Sequence, residues 1–185
     1  QLNQVNQGNS RARSRMCILY GIAHELGNEN PNKRVRVVDT CNLSESFIGY
    51  FTKFGDGAGD ISIIGELFKS EVYQLLDYFI QERILTEEDV DRVPSAGLWE
   101  KQTDEGEIGY SYSDMEMVIR WYLKLTAEHD EDYCFTKEDN DNWNKFQRAI
   151  KVENSIEKFV MNRHFVNKHK HEAPYVFSLR EHIKE

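Results

Sequence analysis

Hydrophobic and polar positions divide the chain into helical stretches around one short strand. Ala12, Met16, Leu19, Ala23 and Leu26 recur at three- and four-residue steps. That spacing predicts a helix from Ser10 to about Leu26, with Gly27 as its C-cap, after an irregular polar start over Gln1 to Asn9. Asn28 to Lys33 reads as a turn. Val35, Val37 and Val38 then form a β-branched strand that exits through Asp39-Thr40-Cys41-Asn42. Asn42 or Ser44 caps a short helix holding Glu45, Phe47 and Ile48. From Phe51 to Asp60, three glycines interleave with two aspartates. Such a run suits a loop whose backbone approaches a ligand closely.

The second half reads as more helix. Val72, Leu75, Leu76, Phe79 and Ile80 form one stripe, which predicts a core-facing helix over about Lys69 to Gln81. Thr86 to Asp91 adds an acidic turn. Pro94 to Tyr112 reads as a long loop, and such loops in compact domains are functional or mobile. Ser113 and Glu116 have capping-box spacing and open a helix carrying Met115, Val118, Ile119, Tyr122 and Leu125. Glu128 to Asp132 reads as an acidic hinge, and Thr136 to Asp139 as a cap before Trp143, Phe146 and Ile150. A last helix with Ile156, Phe159 and Val160 runs into His164, His169, Lys170 and His171. One strand among many helices indicates an α/β chain whose sheet lies largely elsewhere.

Composition narrows the classes. At 185 residues, with 30% charged and 12% aromatic side chains, the chain is expected to form a single globular domain over residues 1–185. A net charge of −9 argues against a general nucleic-acid binder, though a few lysines suffice to hold a nucleotide. No apolar run reaches membrane-spanning length, so no membrane partner is expected. Cys17, Cys41 and Cys134 are odd in number and widely spaced, as expected of free thiols in the reducing cytoplasm. The spacing of His164, His169 and His171 matches no zinc pattern.

Several residues carry chemistry in principle. Thr40 sits at the C-terminal end of a strand, where open α/β sheets bind ligands. Lys69 opens a helix against the macrodipole, which makes sense if an anion is held there too. Taken alone, Glu45 is an ordinary first-turn carboxylate, Lys53 and Asp60 a surface ion pair, and Arg11, Arg13 and Arg15 a solvated basic face.

Together these residues resemble the ammonia-dependent NAD synthetases of the ATP-pyrophosphatase (adenine-nucleotide α-hydrolase-like) superfamily. The resemblance rests on Thr40, Asn42, Ser44-Glu45, Gly49-Tyr50-Phe51-Thr52-Lys53, Gly55-Asp56-Gly57, Asp60 and Lys69. It extends to Arg11 through Met16, Pro94 through Glu100, Gln102-Thr103-Asp104-Glu105, Gly109 and Tyr112. It implies the C-terminal part of a Rossmann-like parallel sheet domain, mostly helical in this stretch. It implies ATP-dependent amidation of deamido-NAD to NAD through an acyl-adenylate, with ammonia as nitrogen donor and Mg²⁺ as cofactor. Residue by residue, it places Arg13, Lys53, Asp60, His169 and Lys170 on deamido-NAD. It places Thr40, Lys69 and Ser95 on ATP, and Glu45 on Mg²⁺. It also implies a homodimer and no covalent nucleophile.

The chain departs from the family at Asp39 and Cys41, where glycines are usual, and at Gly97, where an acidic residue is usual. The family's P-loop, Ser-Gly-Gly-x-Asp-Ser, occurs nowhere in it. This polypeptide alone is therefore expected to lack ATP turnover, its P-loop-bearing N-terminal half being absent. The alternative is a non-catalytic nucleotide-binding or interaction module derived from the same family. A GMP synthetase-like ATP-pyrophosphatase is weaker, because the Tyr50 to Gly57 run points to NAD synthetase.

Overall fold

The computed structural model describes residues 3–90, 93–126 and 156–174. The elements proposed over Glu128 to Ile150, and Cys134, lie outside them. A two-stranded parallel sheet pairs β1 (Val38–Asp39) with β2 (Ile61–Ser62), in the register Val38 to Ile61 and Asp39 to Ser62. Around it lie α1 (Gln4–Glu29), α2 (Leu43–Phe47), α3 (Lys69–Gln81), α4 (Glu87–Val90), α5 (Asp104–Ile108), α6 (Tyr112–Thr126) and α7 (Ile156–Asn167). A 3₁₀ turn, Lys168–Lys170, follows α7. The chain is mixed α/β and mostly helical, with the parallel pairing expected of it.

The core gathers where α6 meets α2 and α7. Met115, Val118, Ile119 and Val160 are fully buried there against Phe47, Ile48 and Phe68. Each such side chain contributes about 1.5–3 kcal/mol on burial. α1 joins through a narrow stripe, Gly8, Ala12 and Met16, at four-residue steps. Gly8 is required there, because a Cβ would lie 2.9 Å from the Trp99 ring.

Four local expectations change. α1 starts earlier, because Asn3 accepts the Asn6 amide at 2.8 Å as an N-cap. It also runs past Gly27 to Asn30, whose side-chain amide donates to the Leu26 carbonyl. The Pro94 to Tyr112 loop contains α5, capped by Thr103 and closed by Gly109 in the left-handed region. The capping box of α6 is not Ser113 with Glu116. Ser111 accepts the Asp114 amide at 3.2 Å and donates to the Asp114 carboxylate at 2.6 Å. Glu116 is thereby free for another partner. Finally, no residue of α3 is buried, and Leu75 is 37% exposed. α3 docks through its first turn, where Arg120 of α6 stacks on Phe68 and pairs with Glu71, rather than along its stripe.

Candidate functional site

α2 begins with a complete capping box. Asn42 accepts the Glu45 amide at 3.0 Å, and Glu45 Oε2 accepts the Asn42 amide at 3.3 Å. That arrangement fixes Glu45 just beyond the end of β1. α3 begins at Lys69, whose ammonium donates to Glu45 Oε1 at 3.0 Å. Two residues far apart in sequence thus form one ion pair, with side chains only 18% and 14% exposed.

The pair lies on the wall of a cavity of about 450 Å³. Thr40 and Ser95 line the same cavity, so four of the nine residues singled out in the sequence converge there. α1 supplies a further wall through Ala12, Arg15 and Met16. Arg15 donates to the carbonyls of Ala96 (3.3 Å) and Gly97 (2.8 Å), and Arg11 donates to that of Leu98. These arginines strap the segment carrying Ser95 onto α1 rather than forming a purely solvated face. Ser95 Oγ accepts the Gly97 amide at 3.1 Å.

Carboxylates and phenols crowd the far side. The Tyr112 hydroxyl stands between Asp104 Oδ2 (2.9 Å) and Glu45 Oε1 (3.2 Å), and its single proton serves one at a time. Tyr50 likewise stands between Asp104 Oδ1 (3.3 Å) and Glu107 Oε2 (2.8 Å). Burial raises the Asp104 carboxyl above the ordinary aspartate range; the Tyr112 hydrogen bond opposes this and repulsion from Glu45 adds to it. Burial likewise pushes the Tyr112 and Tyr50 phenols up and keeps them protonated donors. Cys41 is buried at the wall, its thiol raised first by burial and then by Asp39. Asp39 spends Oδ1 on the Cys41 amide at 2.7 Å.

A second cavity of about 300 Å³ adjoins the first, sharing Tyr50, Asp56, Ala96 and Leu98 with it. Lys170 lines it, its ammonium bound to the carbonyls of Gly49 (2.7 Å) and Phe51 (2.8 Å). Burial, then the like charge of Arg163, lowers the Lys170 pKa. Lys53 donates to the carbonyls of His169 and, at 3.2 Å, Glu172, while Arg13 Nε donates to the Lys53 carbonyl at 3.2 Å. Arg13, Lys53 and His169 are therefore chained together, and Lys170 follows His169 in the same turn. Asp60 stands apart. Its Oδ2 accepts the Val37 amide at 2.8 Å, and it lines a separate groove with His24, Lys33, Arg34 and Arg36.

The sequence reading did not single out Arg15, Tyr50, Asp56 or Asp104 as site residues, although all four line the first cavity. For Arg15 the signal was present, since it shares a helix face with Ala12, Met16 and Leu19. Among the described residues, no group of three or more His, Cys, Asp or Glu side chains could hold a metal ion. Glu45 offers one hard oxygen donor set, which suits Mg²⁺ only where phosphates and water complete the shell.

Known proteins point the same way. The chain is 40% identical over 124 residues to an NH(3)-dependent NAD(+) synthetase of Methanocaldococcus jannaschii, covering 67% of this chain and 44% of that protein. It is 34% identical over 172 residues to one of Sulfurisphaera tokodaii, covering 93% of this chain and 53% of that protein. It thus spans about half the length of the curated relatives it matches. Among solved structures, an NMN synthetase from Francisella tularensis matches with TM-score 0.65 and 29% identity over 96% of this chain and 58% of that one. An NH3-dependent NAD synthetase from Campylobacter jejuni, in complex with nitrate, matches with TM-score 0.56 and 25% identity over the same shares, 96% and 58%. A sequence model described as NAD synthase matches residues 1–174. A match over so much of the chain, with the motif residues gathered at adjoining cavities, has one meaning: the chain belongs to the NAD synthase family.

Proposed function

We propose that this chain is the C-terminal, ligand-gathering part of an enzyme of NAD biosynthesis that amidates deamido-NAD at the expense of ATP. The observation that carries this reading is the convergence of Thr40, Glu45, Lys69 and Ser95 on one cavity. A nicotinate carboxylate is a poor acyl electrophile, since its charge repels a nucleophile. Activation runs through attack of a carboxylate oxygen on the α-phosphorus of ATP, releasing pyrophosphate. Ammonia then adds to the acyl carbon, AMP departs, and one proton is lost.

The side chains suit binding, charge neutralisation and exclusion of water rather than covalent catalysis. In this reading Lys69 holds ATP phosphate oxygens, exchanging its pairing with Glu45 for them. Thr40 and Ser95 donate hydroxyls to the same nucleotide. Glu45 would hold Mg²⁺, which supplies Lewis-acid neutralisation of phosphate charge when bound. Arg13, Lys53, Asp60, His169 and Lys170 take deamido-NAD. The adjoining 300 Å³ cavity supports this division of labour for Lys170, whereas Asp60 needs the ligand to reach across to its separate groove. The enzyme acts as a homodimer in the cytoplasm.

The test uses the full-length protein with deamido-NAD, ATP, Mg²⁺ and ammonium, and quantifies NAD chromatographically. NAD and pyrophosphate are expected in equal amounts. Lys69→Ala is expected to lower turnover at least about 100-fold, as for loss of a charged transition-state contact. A folded wild-type protein that makes no NAD refutes the reading. Amidation of only the mononucleotide would instead align the chain with the NMN synthetase it resembles in fold.

A further inference from the structure

α3 begins without a cap of its own. Its N-cap residue is Phe68, whose side chain offers no hydrogen bond, and only Glu71 reaches back, to the Phe68 amide at 2.8 Å. The next amides need acceptors, because the first turn of a helix has none within the helix. They are satisfied from outside. The Lys69 amide donates to Ser44 Oγ at 3.0 Å, and the Ser70 amide donates to Glu116 Oε1 at 3.1 Å. Ser44 in turn donates its hydroxyl to the same Glu116 Oε1 at 2.7 Å, and the Ser70 hydroxyl donates to Oε2 at 2.5 Å. Glu116 is 4% exposed, and Ser44 is fully buried.

One carboxylate from the N-terminal half of α6 thus fastens the start of α3 to α2. The residues it fastens, Ser44 and Ser70, are the direct sequence neighbours of Glu45 and Lys69. A shift of either serine moves the Glu45–Lys69 pair at the cavity wall. We propose that Glu116 is a positioning residue that sets Lys69 against Glu45, and thereby sets the ATP side of the cavity. Its consequence for catalysis rests on the proposed function; its geometry does not.

The test reads Lys69 directly. The full-length protein is acylated with acetic anhydride under native conditions, and each lysine is followed by peptide mass spectrometry, with Lys168 (67% exposed) as internal reference. Glu116→Ala is expected to raise the Lys69 rate about ten-fold, the scale of losing hydrogen bonds to a buried charged group. Glu116→Gln keeps an oxygen for Ser44 and the Ser70 amide, and is expected to stay within about two-fold of wild type. Arg120→Ala removes a separate set of α6 contacts to this turn, to Glu71 and Phe68, and leaves the Tyr112 ring beside the Lys69 ammonium. It is expected to lower the melting temperature and leave the Lys69 rate alone. Should Glu116→Ala not fold, Ser44→Ala carries the same comparison, because it cuts the link from Glu116 to the Lys69 amide.

An unchanged Lys69 rate in folded Glu116→Ala or Ser44→Ala overturns the proposal. So does equal acceleration by Arg120→Ala or by Glu116→Gln. In turnover assays Glu116→Ala is expected to raise KM for ATP about ten-fold while leaving KM for deamido-NAD within about two-fold. Acylation needs no substrate, so a wild-type enzyme without NAD synthesis would refute the proposed function while leaving the acylation result readable.

Discussion

Gly49→Ala should undock α7 and Lys170 beyond it. Gly49 closes α2 with φ +65°, in the region L side chains avoid, and a methyl group at this position would sit 2.3 Å from Asn167 Cβ and 2.7 Å from Asn167 Cγ. Asn167 Cβ is attached directly to the α7 backbone, so no rotation relieves the first contact; the helix end has to move by about 1 Å, the gap to an ordinary carbon contact. That motion also stretches the bond from the Asn167 side-chain amide to the Ile48 carbonyl, 3.0 Å long and buried. The left-handed backbone costs about 1–2 kcal/mol, the overpacking about 1–3 and the hydrogen bond about 1. The sum, about 3–6 kcal/mol, is a large fraction of the stability of a typical domain. At about 2–4 °C per kcal/mol, a fall in melting temperature of about 6–24 °C follows. Circular dichroism reads the melting point, and amide exchange reads where it starts; α7 should lose protection first. Because Lys170 binds the Gly49 carbonyl, the proposed function predicts weaker deamido-NAD affinity in the full-length protein. Adding Asn167→Gly should restore the packing part and leave the backbone and hydrogen-bond parts, because it also removes the donor to the Ile48 carbonyl. A melting point within about 2 °C of wild type would refute the clash and the strain together.

Two further outcomes follow from the groups around the first cavity. Because burial raises the Asp104 pKa, the folded state retains its proton to higher pH than the unfolded chain, so stability should fall as pH rises from the ordinary aspartate range through the raised folded value. Asp104→Asn should flatten that slope in urea midpoints measured from about pH 4 to 7, and an unaltered slope would contradict the raised pKa. Among the described cysteines, exposed Cys17 should be alkylated by iodoacetamide in the native protein, whereas Cys41 should react only on unfolding. Peptide mass spectrometry separates the two, and rapid native alkylation of Cys41 would contradict its burial.

α2 is legible because it depends on a local signal, whereas Thr40, Glu45, Lys69 and Ser95 are legible as cavity residues through the family resemblance. Asn42 and Glu45 form a capping box within four residues, and of the predicted valine run only Val38 lies in β1, which ends on Asp39. β2 escaped because Ile61–Ser62 is too short to show a period of two. α5 escaped because Thr103 and Gly109 bracket only five residues inside a run of loop composition. α3 misled in the opposite way. Its apolar stripe is genuine, but the described neighbours hold the helix by its first turn. Ser113 and Glu116 had capping spacing, yet Ser111 and Asp114 had it too, and nothing local decides between two adjacent boxes.

That last ambiguity explains why the site was only partly readable. Glu45 and Lys69 were each visible as candidates, but their meeting depends on Glu116, a residue whose local reading gave it a different task. None of the nine residues singled out as ligand contacts lies on α6. Even so, α6 supplies Tyr112 to Glu45, Glu116 to Ser44 and Ser70, and Arg120 to Glu71. A motif identifies the groups that meet a ligand; the buried carboxylate that sets their spacing carries no motif of its own. It shows itself only when the unsatisfied amides at the start of a helix are traced to their acceptors. By that reasoning, exchanging the exposed Leu75 for a polar side chain should leave turnover nearly intact, whereas changes confined to the buried turn of α6 around Glu116 should reach the cavity without touching a ligand.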